Sequence, residues 1–133
     1  MHIFEYNLNQ IECFNKLLSE FMAEEVYNLH ANICKTFTSP VRLKIIDELR
    51  TGEKSVSELA RATGLNQPNI SQHLAVLRSK KIVVPRKVGN IIYYGIANRK
   101  IFEAFDIVLD VIFEQLTDSR DMAKKIKVDG QAK

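Results

Sequence analysis

The first third of the chain carries apolar residues at the spacing of an amphipathic helix. A first set consists of Ile11, Phe14, Leu17, Leu18, Phe21 and Met22, and a second set consists of Val26, Leu29, Ile33 and Phe37. The second set continues the apolar stripe with a shift in register. The pattern therefore predicts helix throughout this region, with a bend or a second helix after Met22.

Capping residues divide the middle of the chain into short helices. Ser39 can cap a helix and Pro40 suits its first position, where the backbone N–H has no intrahelical partner. The helix predicted from there, Val41 to Leu49, buries Leu43, Ile46 and Leu49. It ends at Thr51-Gly52, with Gly52 in a left-handed C-cap conformation.

Two further helices are predicted on either side of a tight turn. Ser55-Val56-Ser57-Glu58 has the sequence of a capping box, and the helix that it starts ends at Thr63-Gly64. After the turn Gly64-Leu65-Asn66, the next helix runs from Gln67 to about Lys80, because Asn66 can cap it and Pro68 is tolerated in the first turn. Its buried face carries Ile70, Leu74 and Leu77.

β-branched and aromatic residues then flank a Gly89-Asn90 turn and predict a β-hairpin from Ile82-Val83-Val84 and Ile91 to Ile96. Pro85 has no N–H to donate, so we expect it at an open edge or at the strand start. Asn98 can cap a last helix. The apolar stripe of that helix consists of Ile101, Phe102, Phe105, Val108, Leu109, Ile112, Phe113 and Leu116. From Thr117 the tail is polar, and we expect it to be loosely ordered.

This order of elements is that of a winged helix-turn-helix, so the predicted fold class is mainly α with a small β-hairpin. The apolar stripes of the first and last helices exceed what one small domain needs internally. They predict a homodimer joined through these two helices, with Phe14, Leu17, Phe105, Leu109 and Phe113 as candidate contacts. We expect the DNA-binding and dimerisation domain over residues 1–117 and a polar tail over residues 118–133.

The distribution of charge indicates a polyanionic partner. Residues 59–102 carry eight basic side chains and no acidic one, whereas residues 1–58 have a net charge of −3 and residues 103–133 a net charge of −2. A basic block between two mildly negative ones is typical of a nucleic-acid surface. We found neither a phosphate loop, a nucleophile elbow nor paired carboxylates, so we expect no enzymatic activity and no cofactor.

The remaining composition sets the class and the compartment. An apolar content of 46% and a charged content of 26% are typical of a globular domain. The chain shows neither the long apolar run of a membrane helix nor the pattern of a signal peptide at its start. We therefore expect a cytoplasmic protein that keeps Cys13 and Cys34 reduced and does not bind membranes.

The helix that begins at Gln67 presents small and amide-bearing side chains without a carboxylate. Gln and Asn can bind adenine with two hydrogen bonds in the major groove of double-stranded DNA, and Ser can reach bases or phosphates. Predicted base contacts are Gln67, Asn69, Ser71 and Gln72, with Pro68 on the same face and His73 at phosphate or against the turn. Predicted phosphate contacts are Arg78, Lys80, Arg86 and Lys87.

Four segments resemble the arsenical-repressor (ArsR/SmtB) family of bacterial and archaeal regulators. They are FTSPVRLKII at 37–46, SELA at 57–60, QPNISQHLAVLR at 67–78 and GNIIYY at 89–94, within residues 31–116. The resemblance implies a dimer built on the first and last helices and an inverted-repeat operator. It also implies repression that is relieved by a chemical signal.

The metal sites of that family do not carry over to this chain. Ser55 and Ser57 stand where one family site has Cys-x-Cys, and three of the four ligands of a second site are missing. The loop before Ser55 resembles a branch that senses persulfide or oxidants through two cysteines, but Asp47 replaces one of them and the last helix has no Cys. The resemblance therefore implies no metal site and leaves the inducer unidentified.

Cys13 and Cys34 leave a second hypothesis open. In a dimer, thiols from two chains could form a disulfide or bind a soft metal ion, with His30 one helical turn from Cys34. Buried, unreactive cysteine is the commoner fate of such a residue in a core helix. A third hypothesis is a winged-helix module that binds protein rather than DNA, and its binding would not depend on salt.

Overall fold

The computed structural model describes residues 8–20 and 23–131. Within them the elements are α1 (Leu8–Glu20), α2 (Ala23–Thr36), α3 (Pro40–Glu48), β1 (Lys54–Ser55), α4 (Val56–Thr63), α5 (Gln67–Ser79), β2 (Val83–Val88), β3 (Ile91–Ile96) and α6 (Lys100–Gln131). The first apolar stripe is thus divided between two helices. Phe21 and Met22, which were predicted to be helical, lie outside the described residues.

Helix α3 begins as the sequence predicts, because the Ser39 hydroxyl accepts a hydrogen bond from the Arg42 N–H at 3.4 Å. The helix buries Ile45 and Ile46, and Leu49 is buried in the turn that follows. The prediction that Leu43 is buried is wrong, since its side chain is 38% exposed. At about 100° per residue, Leu43 lies about 110° from the centre of the face formed by the other three.

The end of α3 also differs from the prediction. Leu49–Thr51 continues as a turn of 3₁₀ helix, and Gly52 follows with φ +133° and ψ −177°. The positive φ favours glycine, as predicted, but ψ is extended rather than left-handed helical. The reason is that Gly52 leads directly into a strand and does not reverse the chain at a helix end.

The capping predictions for α4 and α5 are confirmed. The Ser55 hydroxyl accepts from the Glu58 N–H at 3.2 Å, and the Glu58 carboxylate accepts from the Ser55 N–H at 3.0 Å. Gly64 ends α4 in a left-handed conformation, with φ +73°. The Asn66 side chain then accepts from the Asn69 N–H at 2.9 Å and starts α5. These caps fix the short turn between the two helices.

The three described strands form one antiparallel sheet in the order β1-β3-β2. Val83 pairs with Ile96 and Val88 with Ile91, which confirms the hairpin. Pro85 lies on β2, an edge strand, as predicted. Strand β1 was not predicted, because two residues are too few to show an alternating pattern.

The core lies between α3, α4, α5, the hairpin and the first turn of α6. Its buried apolar side chains are Ile45, Ile46, Leu49, Leu59, Ile70, Leu74, Leu77, Ile82, Val83 and Phe102. Among the described residues, α1 and α2 contribute no apolar side chain to this buried set. The helix-turn-helix and the hairpin therefore fold around one common core, with α1 and α2 outside it.

Helix α6 is the longest described element. Asn98 Oδ1 accepts from the Lys100 N–H at 3.0 Å at its start, and the helix continues to Gln131. Its 32 residues give a length of about 48 Å at ~1.5 Å per residue. Residues 117–131, which we expected to be a loosely ordered tail, are helical, and no Gly or Pro interrupts residues 117–129.

Candidate nucleic-acid interface

Helix α5 presents one face to the core and the opposite face to solvent. Ile70, Leu74 and Leu77 are buried, as predicted. The predicted base contacts Gln67, Ser71 and Gln72 are exposed together with Pro68, whereas Asn69 and His73 are half-buried. The exposed face near the start of α5 is therefore polar, uncharged and free of carboxylates.

Gln67 links the two helices of the helix-turn-helix. Its side-chain amide donates to the Ser57 hydroxyl of α4 at 3.3 Å. The Asn69 backbone N–H is already used by the Asn66 cap. The amide of Gln67 has a second N–H and a carbonyl oxygen, so this contact orients the side chain without consuming all its hydrogen-bonding groups.

The four predicted phosphate contacts fall into two groups. Arg78, Lys80 and Lys87 are exposed and form no ion pair within the described residues. Arg86 is also exposed, but its Nη2 lies 2.6 Å and its Nε 2.8 Å from Glu53 Oε2. Arg78, Lys80 and Lys87 are thus available to bind a phosphate, whereas Arg86 is already paired with the Glu53 carboxylate.

Glu53 is a residue of this surface that the sequence analysis missed. It lies outside the carboxylate-free segment 59–102, yet the fold brings it to Arg86, 33 positions further along the chain. The Arg86 hydrogen bond lowers the pKa of Glu53, and the Glu53 carboxylate raises the pKa of Arg86. No local sequence signal predicts this pair, because the sheet alone brings the two residues together.

The hairpin holds its cations on the strand that precedes the turn. Arg86 lies opposite Tyr93 and Lys87 opposite Ile92 in the register of β2 and β3. The Arg86 guanidinium also lies 6.0 Å from the centre of the Tyr93 ring. This places Lys87 close to the Gly89-Asn90 turn, at the tip of the hairpin formed by β2 and β3.

Comparison with known proteins decides the family. Residues 39–83 match the family described as bacterial regulatory protein, arsR family. The chain is also 33% identical over 111 residues to an uncharacterized HTH-type transcriptional regulator of Mycobacterium tuberculosis, which covers 83% of this chain and 97% of that protein. The chain belongs to the ArsR family. A further relative, the biofilm growth-associated repressor of Xylella fastidiosa, is 42% identical over 77 residues, 58% of this chain and 68% of the repressor.

Solved structures show the same winged helix-turn-helix fold. The crystal structure of M. tuberculosis Rv0081 superposes with a TM-score of 0.65 at 36% identity, over 70% of this chain and 94% of that one. The homodimeric winged helix-turn-helix DNA-binding domain of Mb0332 from Mycobacterium bovis has a TM-score of 0.64 at 33% identity, over 71% and 87%. The predicted family and fold class of this ArsR protein are confirmed.

The predicted dimer contacts of this ArsR-family chain lie on exposed helix faces. Phe14 and Leu17 on α1 and Leu109 and Phe113 on α6 are exposed, with Phe113 at 60%. Phe105 differs, because it is half-buried and packs edge-to-face on Phe37 at 4.9 Å between ring centres.

Within the described residues, none of the helices is long and apolar enough to span a membrane.

Cys13 and Cys34 lie on α1 and α2, and both are exposed in the single chain. The interpretation of them as buried core cysteines is wrong for the chain by itself, because α1 and α2 lie outside the core. His30 is exposed as well. The described part of the chain contains no group of three or more His, Cys, Asp or Glu side chains that could hold a metal ion.

Arg50 connects the core to α6 through contacts that the sequence analysis also missed. Its Nη2 and Nη1 lie 2.6 and 3.2 Å from the two carboxylate oxygens of Asp106, and its Nε lies 2.6 Å from Asp47 Oδ1. The guanidinium also stacks 5.0 Å above the ring of Phe102. Asp106 is the largest cause of the raised pKa of Arg50.

Proposed function

We propose that this protein represses transcription by binding an inverted-repeat operator as a homodimer, and that an unidentified inducer releases it. It acts as a regulator and not as an enzyme, in the cytoplasm, where its DNA lies. The observation that carries the proposal is the carboxylate-free, exposed face of α5, together with Arg78, Lys80 and Lys87, which form no ion pair within the described residues.

The arrangement of this surface matches the two parts of a DNA site. Gln67, Asn69, Ser71 and Gln72 occupy the first two turns of α5, the part of a recognition helix that contacts base edges in the major groove. The long cations lie at the far end of α5 and on the hairpin, where the DNA backbone passes. We therefore assign sequence preference to the amides and sequence-independent affinity to the cations.

The homodimer is supported by surface that the single chain leaves uncovered. The exposed large apolar side chains include Phe14 and Leu17 on α1 and Leu109 and Phe113 on α6, and an apolar surface of this kind is typical of a protein–protein interface. A solved neighbour at 33% identity is itself described as homodimeric. Two copies related by a two-fold axis would present two α5 helices to two half-sites.

Gln72→Ala and Lys87→Ala separate the two roles. Gln72→Ala is expected to cost about 1–3 kcal/mol on the preferred operator and to reduce sequence preference. Lys87→Ala is expected to weaken binding equally on operator and random DNA and to lower the slope of log K against log salt by about one per subunit. The measurement is a binding titration over a series of salt concentrations.

Lys125→Ala, on the last turns of α6, is the matched control because it removes the same charge from an exposed lysine that lies outside α5 and the hairpin. It should leave affinity and slope unchanged. An unchanged slope in Lys87→Ala, or an equal loss on random and operator DNA in Gln72→Ala, would show that the docking is wrong. Salt-independent binding of the wild-type protein would favour a module that binds protein.

A further inference from the structure

Glu53 places a carboxylate at the edge of a surface that is otherwise basic. Gly52 has a positive φ, and Glu53 follows it immediately before β1, whose first residue Lys54 pairs with Tyr94 of β3. From there the Glu53 side chain reaches across β3 to Arg86 on β2, with Nη2 and Nε of the arginine at 2.6 and 2.8 Å from Oε2. The pair therefore connects the two edge strands over the central strand.

Gly95 makes this path possible. It is the buried residue of β3 over which the Glu53 side chain passes, and a Cβ at this position would lie 3.1 Å from Glu53 Cγ. That distance is tighter than an ordinary van der Waals contact, so a methyl group at position 95 would require the Glu53 side chain to shift by a few tenths of an ångström. Glycine at position 95 therefore leaves the space through which Glu53 reaches Arg86.

The pair occupies two of the guanidinium nitrogens that a phosphate could use, Nε and Nη2. Arg86 remains 61% exposed, so DNA can reach it, but its Nε and Nη2 already donate to Glu53. A phosphate that binds this edge of the guanidinium must displace the carboxylate. Each phosphate neutralised by a free cation releases about 0.9 counterion, whereas a cation already neutralised by the protein contributes less.

We propose that Glu53 competes with the DNA phosphates for Arg86 and so keeps the sequence-independent part of DNA affinity low. This inference rests on the proposed DNA-binding function. A regulator faces a large excess of non-specific DNA. The strength of the contacts that it makes with every sequence therefore determines what fraction of the regulator is bound away from the operator. Glu53 limits the strength of the phosphate contact that Arg86 makes on the hairpin, and it does not affect the base contacts of the α5 amides.

The test is Glu53→Gln in the full chain, titrated on operator and on random DNA over a series of salt concentrations. Both affinities should rise, and the salt slope should become steeper by about one per subunit. If Glu53→Gln and the wild type bind DNA equally at about 1 M salt, a slope of about 0.9 per phosphate gives the variant an affinity about fivefold higher per subunit at about 0.15 M salt. Gly95→Ala should change affinity and slope in the same direction but by less, because it shifts the Glu53 side chain without removing a charge.

Two controls separate direct competition from a general change in charge. Glu103→Gln removes the same charge from an exposed position on α6 and should leave affinity and slope as in the wild type. In an Arg86→Gln background, Glu53→Gln should add nothing, because the group for which it competes is absent. Circular dichroism of each variant checks that the fold is retained.

Several outcomes would overturn the inference. They are an unchanged slope in Glu53→Gln, a gain that persists in the Arg86→Gln background, and weaker binding of Glu53→Gln, which would make Glu53 a residue that orients Arg86 for DNA. In each case wild-type binding remains intact. Failure of the wild-type protein to bind any DNA would instead overturn the proposed function and the inference together.

Discussion

Arg50→Ala is expected to loosen α6 from the rest of the domain. Arg50 follows α3, and it forms a bidentate ion pair with Asp106 of α6, a second pair with Asp47 and a stacking contact with Phe102. The contacts to Asp106 and Phe102 connect residues more than 50 positions apart. They hold α6, which carries much of the exposed apolar surface, at a fixed angle to the helix-turn-helix.

The magnitude follows from exposure and geometry. The side chain of Arg50 is 29% exposed, while those of Asp106 and Asp47 are 57% and 69% exposed, so solvent screens both pairs. Exposed pairs contribute about 0.2–1 kcal/mol each, with bidentate geometry at the upper end. The stacking on Phe102 adds about 0.5–1 kcal/mol. We therefore expect Arg50→Ala to lower the free energy of unfolding by about 1–3 kcal/mol.

Urea denaturation measures this change. With a slope of about 2 kcal/mol per molar urea, the midpoint should fall by roughly 0.5–1.5 M. All variants are compared at one protomer concentration, because the stability of a dimer depends on concentration. Arg50→Lys should lose about half as much, since it keeps the charge but lacks the planar fork that binds a carboxylate with two hydrogen bonds.

Arg120→Ala is the matched control, because Arg120 is an exposed arginine of α6 that forms no ion pair within the described residues. If its midpoint falls as far as that of Arg50→Ala, the reasoning is refuted. A DNA measurement adds a second criterion. Arg50→Ala should weaken binding to a full operator more than to a single half-site, since a half-site does not require a fixed angle between two subunits.

Further predictions concern the core, the dimer, the cysteines and pH. Leu74→Ala should lower the free energy of unfolding by about 2–5 kcal/mol in thermal or urea melts, because Leu74 is fully packed. Phe113→Glu should give a monomer at micromolar concentration in light scattering, whereas an unchanged dimer would exclude Phe113 from the interface. If the thiols sense an oxidant or soft metal, Cys13→Ser or Cys34→Ser abolishes the response and leaves basal DNA binding intact. The pKa of Glu53 is held below its ordinary value of 4.5, so the effect of Glu53→Gln should be constant between about pH 6 and pH 8 and lost in acid as the wild-type carboxylate protonates.

Local signals were sufficient for much of this fold. Ser39, Ser55 and Asn66 cap helices because their side-chain oxygens reach the first free N–H groups, which needs no distant partner. The Gly89-Asn90 turn defined the hairpin, and the period of Ile70, Leu74 and Leu77 defined the buried face of α5. That face in turn determined that Gln67 and Gln72 are exposed, as the sequence predicts, whereas Asn69 is half-buried.

Errors arose where packing outweighed pattern. Leu43 and Ile45 are both apolar and close in sequence, and only the orientation of α3 against the core determines which is buried. The two-residue strand β1 exists because β3 offers it unpaired backbone groups. Cys13 and Cys34 lie on amphipathic helices that contribute no buried apolar side chain within the described residues, so a correct prediction of amphipathic helices did not imply burial.

The sequence by itself determined most of the elements and the charge of the surface, because capping, periodicity and composition act over a few residues, and its motifs indicated the family. The tertiary structure decided which charges meet. Glu53 reaches Arg86 across β3, and Arg50 reaches Asp106 on α6, over separations of 33 and 56 residues. Ion pairs depend on distances of a few ångströms between side chains, and those distances are set only when the sheet and the helices have packed.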